Sequence, residues 1–236
     1  MGERMDKRKV PTQTVLELAC SAQRTLGRYI KEGEVWFEQL NPRETPKELP
    51  NKWLILSTLG LMRDWEKENM LPPRNLIITT DDLELATDIR KYYRRLAFDI
   101  IADGESFKSS IFKIFNSEDI VENEIGFLAC LPSIYFREKS KEKVKKAAMF
   151  CDHEYLGIEG SKLFDLDSEI LEVKRSKNYD AYNITAIINN KMATWMSTPE
   201  LQIGPAVVVR ANIKGLNTHQ IYNVPVTRLN YVKAAQ

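Results

Sequence analysis

The stretch from His153 to Lys233 narrows the possible folds more than any other part of the chain. It holds five runs rich in β-branched and aromatic residues, roughly 161–174, 181–189, 191–197, 206–214 and 225–234, each bounded by Gly, Pro or Asn. Branched and aromatic side chains pack well on a pleated, half-buried surface, so the runs read as strands. Asn189-Asn190 joins the second to the third as a hairpin turn does, because Asn tolerates positive φ. Five consecutive antiparallel strands in about eighty residues suit a small closed barrel, which leaves no sheet edge exposed.

The stretch opens with Tyr155-Leu156-Gly157, Gly160-Ser161-Lys162 and, later, Trp195 and the Gly204 turn. Ile213-Lys214-Gly215 and Thr227-Arg228-Leu229-Asn230-Tyr231-Val232-Lys233 close it. In these features it resembles the compact OB-like domain found near the C-terminus of phage and mobile-element proteins associated with DNA replication or single-stranded DNA. Where that domain carries an Asp-Gly-Asn-like hairpin, this chain has Asn189-Asn190-Lys191. The resemblance implies a five-stranded antiparallel OB-like barrel over 150–236. It also implies a ligand groove on the second and third strands, flanked by the loops between strands 1 and 2 and between strands 4 and 5.

Charge is distributed unevenly. The whole chain carries a formal net charge of +1. Yet from Lys174 to Lys233 there are eight Lys or Arg against two acids, and from Asp152 to Glu172 seven acids against one lysine. Cations neutralise phosphates and release counterions, while aromatic rings stack on bases, so cations interleaved with aromatics suit a single-strand binder. The candidate nucleic-acid-binding residues are Lys174, Arg175, Lys177 and Tyr179 around the first loop, and Tyr182, Lys191 and Trp195 on strands 2 and 3. Arg210 and Lys214 on strand 4 and His219 and Tyr222 in the last loop complete the set. Trp195 reads equally as a base platform or as barrel core, and Tyr182 has the same two readings.

Residues 1–149 read as an α-rich region for assembly or partner docking. Apolar residues recur at helical spacing from Val15 to Ile30, which predicts a helix ending near Gly33. A second helix is predicted over Trp53 to Trp65 and a third from Thr79-Thr80-Asp81-Asp82 to about Ile101, with Arg90, Lys91, Arg94 and Arg95 on its solvated face. Ser106 to Phe115 reads as a short helix, Ile125 to Leu131 as a buried segment closed by Pro132, and Arg137 to Ala148 as a basic helix. The fold class expected is α+β.

Three unclustered cysteines, Cys20, Cys130 and Cys151, argue for a reducing compartment, and no apolar run is long enough for a membrane span. A cytoplasmic protein of a bacterial host is expected. No phosphate-cradling glycine motif is present, and His153 and His219 lack a neighbouring nucleophile or base. One Cys-x-His pair, Cys151 and His153, falls short of a zinc site, so no metal or cofactor is expected. A helix cap explains Asp81-Asp82, and solubility at a barrel edge explains Asp165 and Asp167. The function expected is single-stranded DNA binding, with RNA as the alternative strand, in a phage-type replication or recombination accessory factor rather than an enzyme. The alternatives are an adaptor docking on a polymerase-type replication or transcription enzyme, or a nuclease subunit with divergent carboxylates. Homo-oligomer formation through the helical region is compatible with each.

Overall fold

The structure, a computed structural model, describes residues 8–31, 49–62, 75–95, 107–176 and 178–236, with the side chains of residues 107 and 108 outside that set. The protein is α+β, and the chain divides into two compact units, Met1–Phe136 and Arg137–Gln236.

The first unit is helical around one small ladder. Strand β1 (Lys9–Pro11) pairs antiparallel with β2 (Asp119–Val121), a feature the charged leader sequence did not predict. Helix α1 spans Thr12–Leu26 and buries Val15, Leu18, Ala19 and Ala22. It stops at Gly27, not near Gly33 as expected: Gly27 takes φ 69° and donates its N–H to the carbonyl of Gln23 at 2.8 Å. The left-handed cap is a conformation glycine adopts without a Cβ penalty. Helix α2 (Asn51–Thr58) is shorter than expected, and Trp65 lies outside the described residues.

Helix α3 (Thr80–Arg95) begins with the expected cap, built by one carboxylate. Asp82 accepts the N–H and the hydroxyl of Thr79, each at 2.9 Å, and pairs with Arg24 of α1 at 2.9 Å. Burial alone would raise the Asp82 carboxyl, but the hydrogen bonds from Arg24 and Thr79 outweigh it and hold the group below its ordinary range. Arg90, expected on the solvated face, instead braces the unit. Its Nη1 donates to Gln13 Oε1 at 2.8 Å and its Nη2 to the carbonyl of Phe115 at 3.2 Å. Leu83, expected near the core, is exposed, and residues 96–101 of the expected helix lie outside the described set.

After α4 (Phe107–Phe115), the expected break at Pro132 does not occur. One helix, α5, runs through it from Ile125 to Phe150. A proline inside a helix costs about 3 kcal/mol. Ile125, Leu128 and Leu131 are fully buried on the turns leading to it, at roughly 1.5–3 kcal/mol each. Their burial wins.

The second unit is a closed barrel of five strands: β3 (Lys162–Arg175), β4 (Tyr182–Ile188), β5 (Lys191–Ser197), β6 (Gly204–Thr218) and β7 (Pro225–Ala235). The strands close in the order β3-β4-β5-β7-β6. The expectation of a purely antiparallel barrel fails at one seam, where β5 and β7 pair in parallel. Because β6 returns to β3 and β7 enters between β5 and β6, β7 runs antiparallel to one neighbour and parallel to the other. Asn189 and Asn190 turn the β4–β5 hairpin at φ 46° and 60°, as expected of a turn needing positive φ.

The barrel core comprises Ile170, Ile184, Ala186, Ile188, Ala193, Trp195, Val208, Ala211, Ile213 and Leu229 with their neighbours. The Leu156–Ser161 segment is tied to it: Leu156 donates its N–H to Thr227 Oγ1 at 2.9 Å, and Gly160 to the carbonyl of Ile213 at 3.0 Å. A Cβ at Gly157 would lie 3.1 Å from Ile213 Cδ1, so a larger residue there needs the Ile213 side chain to give by a few tenths of an ångström. Val144, Ala148 and Cys151 of α5 and its end pack with Leu171, Met192, Val224 and Val226. The division at Phe136 accordingly falls inside α5, not at residue 149, and assigns the second half of the helix to the barrel.

Candidate functional site

The parallel seam is short, and a concavity lies at its end. Pairing covers Met192↔Val226, Ala193↔Thr227 and Thr194↔Arg228, then stops. Met192 and Val226 lie under the end of α5. Past Thr194 and Arg228 a groove of about 470 Å³ opens between β4, β5, β7 and the end of β6. Buried Ile184, Trp195 and Leu229 form its floor, and Asn183, Met196, Lys214, Asn217, Arg228 and Tyr231 are its exposed lining.

Tyr231 is the unusual member. Its backbone sits at φ 50°, a left-handed conformation that a bulky residue rarely adopts, and its side chain is 76% exposed. The β6–β7 register moves from Asn212↔Asn230 to Arg210↔Lys233, which leaves Tyr231 and Val232 opposite the single residue Ala211. Bulges of this kind bend a strand and re-aim a side chain. Here the strained bulge turns an aromatic ring outward beside the groove.

The cations sort into two groups. Lys174 pairs with Glu172 at 2.9 Å, Arg175 with Asp180 at 3.5 Å, and Lys191 with Glu154 at 2.9 Å. Lys177 lies outside the described residues. Among the described residues, no carboxylate pairs with Arg210, Lys214, Arg228 or Lys233, and all four are exposed. Arg210 faces Lys233 across β6–β7, and Arg228 faces Gly215, next to Lys214. The excess positive charge of the barrel therefore rests on the β6–β7 ladder, not in the first loop where the sequence placed its centre.

Of the aromatic candidates, Trp195 takes the second of its two readings, barrel core. It is only 4% exposed within the barrel core, so neither face of its indole is open to a base. Tyr182 is half-buried against the same core and hydrogen-bonded to Glu200, which together with burial raises its phenol above the ordinary value. Tyr179 is 66% exposed beside the first loop. In the last loop the rings of His219 and Tyr222 stack at 4.7 Å, and Tyr222 packs toward the α5 contact. His219 Nδ1 accepts the N–H groups of Ile221 and Tyr222 at 3.3 and 3.4 Å, which fastens the turn.

The candidate site set included Lys214 but not Arg228 or Tyr231, although the sequence counts Arg228 among the last third's cations and Tyr231 among the aromatics of its basic face. The run Thr227-Arg228-Leu229-Asn230-Tyr231-Val232-Lys233 breaks its alternation at Tyr231-Val232, two apolar residues in succession, and this is the signal in the sequence for a bulge there. Among the described residues, no group of three His, Cys, Asp or Glu side chains is placed to hold a metal ion, and no helix is long and apolar enough to cross a membrane. No family model, curated protein or solved structure matches the chain.

Proposed function

We propose that the chain binds single-stranded nucleic acid along the groove and cationic ladder of its C-terminal barrel, acting as a phage-type replication or recombination accessory factor with an OB-like binding domain. The observation that carries the reading is Tyr231, an exposed ring held on a strained bulge between the unpaired cations Lys214 and Arg228 on one side and Arg210 and Lys233 on the other. Backbone strain of about 1–3 kcal/mol persists where the surrounding structure enforces it, and such outliers cluster at functional sites. A ring flanked by cations suits a base flanked by phosphates. Lys174, Arg175 and Lys191 contribute less in this reading, since each already faces a carboxylate.

The test is binding of the full-length protein to a fluorescein-labelled dT15 oligonucleotide, followed by anisotropy as salt rises. The reading expects micromolar or tighter binding at low salt that weakens steeply with added salt. Absence of binding at low salt rejects it.

A further inference from the structure

The groove contains more amide side chains than backbone-tracking requires. Asn183, Asn217 and Asn230 line it, and Asn212 faces Asn230 across the β6–β7 ladder. The Oδ1 atoms of Asn212 and Asn230 are buried and accept no hydrogen bond among the described residues. Such an orphan acceptor costs free energy, which a donor arriving from a ligand recovers. The terminal torsion of Asn is soft and Asn230 lines the groove, so rotation about it can present that oxygen to a ligand.

Resting on the single-strand reading, we propose that Asn230, supported by Asn212, selects bases bearing an exocyclic amino group. Unstacked bases are recognised on their hydrogen-bonding edges. Adenine and cytosine present an amino donor where thymine presents the O4 acceptor. In this proposal a base stacked on Tyr231, the residue next to Asn230, brings that edge to the orphan oxygen of Asn230, which lines the groove. Thr185 and Thr194, opposite one another on β4–β5, can each donate or accept and so suit any base.

Cytosine and thymine separate this from stacking, because their rings are equal in size and differ at position 4 in amino against carbonyl. The full-length protein should bind dC15 about tenfold tighter than dT15, the effect of one well-placed polar contact. The variant Asn230→Leu, close in size and free of the orphan acceptor, should fold and bind dC15 and dT15 alike. Asn212→Leu serves as the second variant and should reduce the preference. Equal binding of dC15 and dT15 by the unaltered protein overturns the inference but leaves single-strand binding standing. A dC15 preference that survives both variants also overturns it. If neither oligonucleotide binds at low salt, both the inference and the single-strand reading fall.

Discussion

Arg210 and Lys233 stand opposite one another across the β6–β7 ladder, and among the described residues neither has a carboxylate partner. Like charges placed directly opposite in a sheet oppose its pairing by an amount comparable to the roughly 0.2–1 kcal/mol a favourable pair supplies. With Lys214 and Arg228 further along the same ladder, an anion that contacted several of these cations at once would relieve the repulsion. The phosphodiester backbone of the proposed single strand would be such an anion.

Tyr231 gives a prediction in which stability and binding move in opposite directions. A left-handed backbone costs a non-glycine residue roughly 1–2 kcal/mol, while glycine gives back about 0.5–1 through its flexibility in the unfolded chain. The ring is 76% exposed and contributes little packing. Tyr231→Gly should therefore leave thermal stability equal or up to about 1 kcal/mol higher. Its binding of dT15 should weaken by about 1–3 kcal/mol, the value of one stacked base. Calorimetry and anisotropy on the same preparation check both halves; undiminished affinity would show that the strained ring has another role.

Trp195 should behave in the opposite way. Buried in the barrel core, it should cost roughly 3–5 kcal/mol of folding stability when cut to Ala. Trp195→Phe, which retains most of the apolar volume, should stay folded and bind with near-normal affinity. A folded Trp195→Phe protein with a large loss of affinity would return the indole to the site.

The barrel was legible in the sequence because its strands are runs of branched and aromatic residues set apart by turn residues. All five runs of branched and aromatic residues became strands, and Asn189-Asn190 became the turn between β4 and β5. Features that depend on competition between local and tertiary terms were not legible. Gly27 ended α1 before Gly33 could, and buried neighbours carried α5 past Pro132. The site was half visible for the same reason. Residue counting located the positive charge of the last third, but which cations are neutralised depends on contacts distant in sequence, as between Lys191 and Glu154. The bulge that exposes Tyr231 follows from a register shift against β6, and register is not written in either strand alone.

The last loop should respond to pH. Burial lowers the His219 imidazole below its ordinary value of 6.5; nearby Glu172 raises it in part and Lys174 lowers it. Because the folded value is depressed, the unfolded chain binds the proton more readily below about pH 6.5. Stability should fall as pH drops from that point through the folded value, where the Nδ1 acceptor for Ile221 and Tyr222 is lost. His219→Asn keeps an acceptor at this position without the titration. Melting temperatures between about pH 7 and pH 5 should fall less steeply in the variant; parallel curves would remove His219 from the account.

The most direct test of the central claim is the salt dependence of dT15 binding by the unaltered protein and by the Lys214→Ala/Arg228→Ala variant. Each phosphate contact contributes about 0.7 to the slope of log K against log salt for a single strand, so the double variant should lose about 1.4 from its slope. The loss should appear with every oligonucleotide sequence and without a change in melting temperature. A variant that keeps the same slope and affinity would place the nucleic-acid contact, if there is one, away from the β6–β7 groove.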